Sequence, residues 1–362
     1  MSGSLSRRAF FALAPGTALA AEYEGQEPEL SSGVGSWPPE LGTRRARIRV
    51  REVAEAVAVR LRWRRRDNPA EKDLPIVEAA TGRRIRNMAR IRVDRHQADL
   101  VFEPYGAGEY YVYFAPYTAN RLPHAYAIQY AQPRNEADPA WVERHRSLAD
   151  LPRARVIDIQ GRTEFDRPDP MEAAASDAET PSLLDRYPRR PYLVFAESRQ
   201  HPVRMYEGVP LRWLQAGAAE GIRARARRGE FYVFQLAVWA ARAPVQDVTL
   251  DFDELRSTTG AMIPASAFRC FNLGGREWLG RAFRKSVAVP TGRVGTLWCG
   301  VEVPRDAAAG AYSSEIVLRA KDSQPVRLRL AFEVEPQLCA DGGDAESWRM
   351  SRLRWLDSTI GL

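Results

Sequence analysis

The sequence predicts a mostly β protein: two antiparallel β-sandwich modules of immunoglobulin-like build, joined by a mixed α/β connector. Three observations predict it. Apolar and polar residues alternate over short runs in two separate regions, 43–117 and 191–338, which is the period of a half-buried strand. Glycine-centred turn signals such as "ATGRR" at 80–84 separate the runs, with Gly82 free to take positive φ. Between the two regions, residues 118–190 lose the alternation and carry Pro, Asp, Glu and Ala instead.

The first 20 residues stand apart from the fold. "SRRAFFALAPGTALAA" has a basic start, an apolar stretch and a small-x-small exit at Ala18-Leu19-Ala20, the layout of a secretory leader. Ser6-Arg7-Arg8-Ala9-Phe10-Phe11 matches the twin-arginine address. Cleavage after Ala20 is expected, with a product in the periplasm or outside the cell. Residues 21–42, rich in Glu, Gly, Ser and Pro, read as a linker. No apolar run is long enough to span a bilayer.

The first sandwich is expected over 43–117, with strands at 45–51, 56–63, 74–79, 84–93, 98–103 and 109–115. In "ARIRVRE" and "VAVRLRWR" the arginines fall on every second residue, opposite Ile48, Val50, Val57, Val59, Leu61 and Trp63. That places them on the solvated face of half-buried strands. Arg44 to Arg95 holds 17 basic and 7 acidic residues, so this stretch carries +10 of a chain whose net charge is +7. The pattern is that of a wet sheet face, and export argues against nucleic acid as a partner. An anionic glycan or cell-surface polymer is the better use for the charge.

The connector, 118–190, carries two helix fragments at 139–149 and 170–186. Asp138-Pro139 and Asp169-Pro170 each place a capping carboxylate before a first-turn proline. Between them "ARVIDIQG" reads as a strand.

The second sandwich is expected over 191–338. "EFYVFQLAVWAA" is apolar on both faces, so it belongs in the middle of a sandwich or beneath a neighbouring element. "VGTLWCGVEVP" turns Leu297, Cys299, Val301 and Val303 to one face. "YSSEIVLRAKDSQPVRLRLAFEVEP" is a hairpin with Val326, Leu328, Leu330, Phe332 and Val334 inward. "GAGEYYVYF" and "AAAGAYSSEIVL" both enter a late strand through Gly-x-Tyr, one in each module. Residues 339–362, with Leu353, Trp355, Leu356, Ile360 and Leu362 among arginines, read as the start of a segment leading to a further domain.

Few residues point to chemistry. There is no phosphate-loop or nucleophile-elbow motif. Cys270, Cys299 and Cys339 and the four histidines (96, 124, 145 and 201) are scattered, with no metal-ligand spacing. No metal or other cofactor is expected. Cys270 and Cys299 each lie in a strand-like stretch, leaving open one disulfide or two buried thiols. Glycoside hydrolysis needs two carboxyl groups about 5–10 Å apart. The acids available in or just after the connector are Glu164, Asp166, Asp169, Glu172 and Glu197, with Asp166 and Glu197 the pair the "YLVFAE" strand could bring together. Sugars also dock on exposed aromatic faces. Trp278, in the Gly-rich bend "FNLGGREWLG", and Trp213 are the candidate carbohydrate-binding residues, against hydrophobic packing as the alternative for both.

"LRWRRRD", "EAATGRRIRN", "GEYYVYFAPY", "DPMEAAASDAE", "RMYEGVPLRWL", "EFYVFQLAVWAA", "FRCFNLGG", "LWCGVEVP" and "SWRMSRLRWLDSTIG" occur in that order. The series resembles the N-terminal half of large secreted bacterial glycoside hydrolase-like proteins of the family 123 type, from about residue 40 onward. The resemblance implies β-sandwich modules preceding a catalytic (β/α) barrel. In that family an adjacent Asp-Glu pair on the barrel positions an N-acetyl group that attacks its own sugar. Asp253-Glu254 falls on a sandwich segment, so no catalytic residue carries over. "FAESR" at 195–199 also departs from the expected "FPEDR". By the same resemblance, Arg352, Arg354 and Trp355 would lie at an interface with a C-terminal catalytic domain. The expected function is thus the non-catalytic front portion of an exported glycoside hydrolase-like protein. The alternatives are a stand-alone glycan-binding module and a self-sufficient hydrolase using connector carboxylates.

Overall fold

The computed structural model describes residues 31–277 and 279–356; the leader at 1–20, Trp278 and residues 357–362 lie outside the described residues. The fold is mostly β, with two sandwiches and, among the described residues, three α-helices of six residues each, Pro139–Arg144, Thr180–Asp185 and Leu211–Ala216.

The six strands expected in the first sandwich are present, at Arg44–Val50, Val57–Leu61, Ile76–Glu78, Met88–Val93, Ala98–Phe102 and Gly108–Tyr113. They divide between two sheets. Three of them form the sheet Val57–Leu61, Ala98–Phe102, Met88–Val93. The other sheet has five strands, and two of those come from outside 43–117. Arg155–Gly161 pairs antiparallel with Arg44–Val50, and Ser31–Val34 pairs parallel with Arg155–Gly161 at the edge. The expected boundaries are corrected accordingly. "ARVIDIQG" is an inner strand of the first sandwich, not part of the connector, and Ser31–Val34 of the 21–42 linker is an edge strand of the same sheet. Between the sheets Ile48, Leu61, Leu74, Leu100, Phe102, Tyr110 and Val112 are buried.

The solvated-arginine reading of the first strand needs a second correction. Arg45 is only 6% exposed. Its guanidinium lies 4.3 Å from the Trp37 ring centroid and 3.5 Å from that of Tyr111. It donates to Gln160 Oε1 at 2.9 Å and the Tyr113 hydroxyl at 3.1 Å. The N-terminal segment folds back with Trp37 and covers this face, and only a planar, weakly hydrated cation tolerates such a slot. Arg47 keeps to the expected pattern and pairs with Asp158 at 2.9 Å.

The second sandwich packs the sheet Leu193–Ser198, Phe231–Trp239, Val294–Glu302, Phe268–Cys270 against a larger one. The latter runs Gly221–Arg228, Val326–Leu338, Gly310–Arg319, Val245–Phe252, Val287–Val289, with two short strands at Leu255–Ser257 and Met262–Ile263 attached. Gly221–Arg228 and Val326–Leu338 run parallel, an exception to the antiparallel rule. Every residue of Phe231–Trp239 is buried, as its two-faced apolar pattern requires. Tyr232, Phe234, Leu236 and Val238 point into the sandwich. Ala237 and Trp239 point the other way, into a second layer with Phe195, Leu183 and Trp213, the last two from two of the helices.

The two Gly-x-Tyr entries are one device used twice. Gly108 and Gly310 hold φ of 155° and 133°, backbone that a side chain disfavours. Tyr110 and Tyr312 are buried, and each hydroxyl donates at 2.8 Å to the carbonyl four residues upstream, Gly106 and Ala308. This is the corner that ties a sandwich strand to its preceding loop.

Of the expected connector helices, the first is Pro139–Arg144, with Asp138 Oδ1 accepting from the Trp141 N–H at 2.9 Å. The second, like the first, is shorter than expected. Asp169 caps only a turn, through the Met171 N–H at 2.8 Å, and the α-helix begins at Thr180. Two hairpins, Tyr117–Arg121 with Tyr126–Tyr130 and Gly274–Arg276 with Ala282–Arg284, complete the strands.

Candidate functional site

Trp213 is no sugar platform. It is 1% exposed, stacks on Phe195 at 4.4 Å with an interplanar angle of 4°, and donates from Nε1 to Glu197 Oε1 at 2.8 Å. Its helix covers the outer face of the Leu193–Ser198 strand, so packing wins over exposure. Trp278 lies outside the described residues.

The connector acids are held by cations, a hydroxyl or backbone. Glu197 is 5% exposed between Trp213 and Arg212, whose Nε lies 3.1 Å away. Asp166 accepts from the Thr163 hydroxyl at 2.7 Å, and Glu164 pairs with Arg167 at 3.0 Å. Asp169 and Glu172 share Arg204, at 3.0 and 3.2 Å, and Glu172 also pairs with Arg44 at 2.9 Å. Burial alone would push the Glu172 carboxyl up, but Arg44 and Arg204 overrule it and hold it below the ordinary range. A general acid needs the opposite environment. Among the described residues Asp166 and Glu197 share no side-chain partner.

Cys270 and Cys299 sit directly opposite each other on neighbouring antiparallel strands, both as thiols. A hydrogen bond from Cys299 holds the Cys270 pKa below that of an ordinary thiol. Burial pushes Cys299 well above it. Among the described residues no group of three or more His, Cys, Asp or Glu is placed to hold a metal ion, and no helix is long and apolar enough to cross a membrane.

Arg352 is exposed at the C-terminal end of the described chain, whereas the side chains of Arg354 and Trp355 lie outside the described residues. The preceding turn is anchored. Glu230, fully buried, accepts from Arg199 Nη1 through Oε1, and through Oε2 from Arg349 Nη1 and the Arg227 N–H, both at 2.9 Å. Arg349 also pairs with Glu346 at 3.1 Å, and its guanidinium lies 4.2 Å from the Trp348 ring centroid. Sequence patterning missed this clamp because Glu230 and Arg349 are 119 residues apart.

It also missed a cleft. A cavity of about 470 Å³ opens where three parts of the chain meet. Arg44, Trp63, Arg64, Arg65, Arg66, Asp67 and Arg95 come from the first sandwich; Asp169 and Glu172 from the connector; Met205, Tyr206 and Glu207 from the segment after Leu193–Ser198. The signal was the triplet in "LRWRRRD": three consecutive arginines must splay to different sides of the chain. At Arg64 the backbone turns left-handed, φ 48°. Arg64 then grips Glu179 through two bonds of 2.7 Å and holds its carboxyl at about 2. The Ala174 N–H donates to the Arg64 carbonyl at 3.0 Å, zipping connector to sandwich.

A family model, "Glycoside hydrolase 123, N-terminal domain", matches residues 35–162. That span takes in Arg155–Gly161, which the alternation had placed outside the first sandwich, and begins just after the edge strand Ser31–Val34. No curated protein matches the chain. Among solved structures the chain is similar to a family 123 glycoside hydrolase from Clostridium perfringens, described for glycolipid glycan hydrolysis. The identity is 15% and the TM-score 0.32, over 41% of this chain and 27% of that one. It is also similar to a PapD-like domain of human CEP192, at 13% identity and TM-score 0.23, over 33% of this chain and 83% of that one. A third is the bacterial hydrophobin BslA, at 13% identity and TM-score 0.19, over 40% of this chain and 95% of that one. These overlays carry none of the assignment, which rests on the family model: residues 35–162 match an N-terminal domain of the glycoside hydrolase 123 type.

Proposed function

We propose that the chain is the non-catalytic front portion of an exported glycoside hydrolase-like protein, whose sandwiches hold and orient a carbohydrate-active barrel outside the described residues. A twin-arginine leader at 1–20 would deliver it to the periplasm or beyond. The observation that carries the reading is the buried Arg199–Glu230–Arg349 clamp. It fastens the chain to the second sandwich just after the last strand, and a following domain would therefore leave at a fixed angle. The glycoside hydrolase 123 match over residues 35–162 supplies the link to carbohydrate. The connector acids support a scaffolding role, since each is tied to a cation, a hydroxyl or the backbone.

The test compares the 362-residue chain with a version extended by the downstream coding sequence, on chromogenic N-acetylhexosaminides. Turnover by the extended protein alone is the expected result. Turnover by the 362-residue chain that falls with Asp166→Ala or Glu197→Gln would overturn the proposal in favour of a self-sufficient hydrolase.

A further inference from the structure

The cleft has an unbalanced charge. Its lining holds five arginines and four carboxylates, and every carboxylate already has its own cation. Asp67 pairs with Arg65 at 2.8 Å and Lys72 at 2.6 Å. Burial works to raise its pKa, but these two hold it at about 2. Asp169 and Glu172 are taken by Arg204 and Arg44, and Glu207 by Arg293. Arg44, Arg64 and Arg65 are satisfied in turn. Arg66 and Arg95 are left over: neither has an ion pair or side-chain hydrogen bond to any described residue, and Arg95 Nε is out of contact with solvent without a partner.

A desolvated guanidinium donor with no acceptor costs free energy. The left-handed turn at Arg64, which sets up the two arginines that follow it, adds strain. Guanidinium matches planar or tetrahedral oxyanions through paired N–H donors. Tyr206, 61% exposed, presents a ring at the rim, and Trp63 a largely buried ring in the wall.

We infer that this cleft is a binding site for an anionic saccharide, its carboxylate or sulfate taken by Arg66 and Arg95 and its ring placed against Tyr206. The inference stands apart from the scaffolding role, because none of the clamp residues Arg199, Glu230 and Arg349 lines the cleft. Asp169 and Glu172 also line the cavity, and they favour a saccharide with hydroxyls to donate to them over one that is anionic at every position.

The test is calorimetric titration of the full chain with four probes: a galacturonic acid trisaccharide, a sulfated chondroitin disaccharide, a neutral galactose trisaccharide and sodium sulfate. Saturable binding of one or both charged sugars is expected, with neither the neutral sugar nor free sulfate matching it. Preference between the two charged sugars distinguishes carboxylate from sulfate as the anion. Arg95→Ala and Arg66→Ala should each weaken binding about tenfold or more, as loss of a charge-assisted pair does. Arg66 is exposed, so Arg66→Ala leaves the fold intact even if Arg95→Ala does not. Arg121→Ala, on the Tyr117–Arg121 hairpin, makes the same change in net charge outside the cleft and should leave binding unchanged. The inference is overturned if neither charged sugar binds, if the neutral sugar or sulfate alone binds as tightly, or if Arg121→Ala weakens binding as much as Arg66→Ala.

Discussion

Glu230→Gln should be among the most destabilising single-atom changes in this protein. The carboxylate is fully buried, and the side chains of its partners Arg199 and Arg349 are 8% and 3% exposed. Two guanidiniums therefore depend on one charge that water cannot replace. Removing one member of a buried ionic group costs about 3–5 kcal/mol, because the remaining charge stays desolvated. Arg349 keeps Glu346, which is 36% exposed, so the lower end, about 3 kcal/mol, applies. For a unit of this size that corresponds to a fall in Tm of about 6–12 °C. Thermal and denaturant unfolding of the transition that carries the second sandwich measures it. Arg199→Met added to Glu230→Gln removes the stranded cation and should recover more than about 1 kcal/mol, a non-additivity that distinguishes charge burial from packing loss. A cost for Glu230→Gln below about 1 kcal/mol would refute the reasoning: the 346–351 turn would then be solvated rather than docked.

Other outcomes follow from the same physics. Trp213→Ala should cost about 3–5 kcal/mol, as large core aromatics do, and leave glycan binding unchanged; calorimetry checks both. Glu179, held by Arg64 at about 2 against an ordinary 4.5, stabilises the fold above pH 4.5, and that contribution is lost as pH falls through about 2. With the carboxylate 28% exposed, solvent screening leaves about 1–2 kcal/mol. Glu179→Gln should remove this part of the stability–pH slope between pH 4.5 and 2, and an unchanged slope would exclude the pair as its source. Iodoacetamide at neutral pH should label Cys270 before Cys299, since the first is part-exposed with a lowered pKa and the second fully buried with a raised one. Protection of both until reduction would instead establish a disulfide between them.

The sandwich architecture was legible in the sequence because strand periodicity is local. The six strands of 43–117, the two-faced Phe231–Trp239 strand and the inward residues of Val326–Leu338 each follow from alternation within about ten residues. The paired tyrosine corners were visible as Gly-x-Tyr, though not the carbonyls they bond. Boundaries were less legible. Arg155–Gly161 looks like any other short strand in "ARVIDIQG", and only pairing with Arg44–Val50 assigns it to the first sandwich.

The residues by themselves determined the class of fold, the caps at Asp138 and the apolar faces, because these depend on neighbours one to four positions away. Tertiary structure decided which polar residues are buried and which charges are left over. Arg45 and Arg47 occupy equivalent positions in an alternating strand, yet Trp37 covers one and water reaches the other. Arg64, Arg65 and Arg66 are identical and consecutive, yet Glu179 and Asp67 neutralise the first two and no described residue neutralises the third. Burial and charge pairing are set by residues as far as 128 positions apart in the chain, as in Arg44–Glu172, and no local pattern encodes which of them will meet.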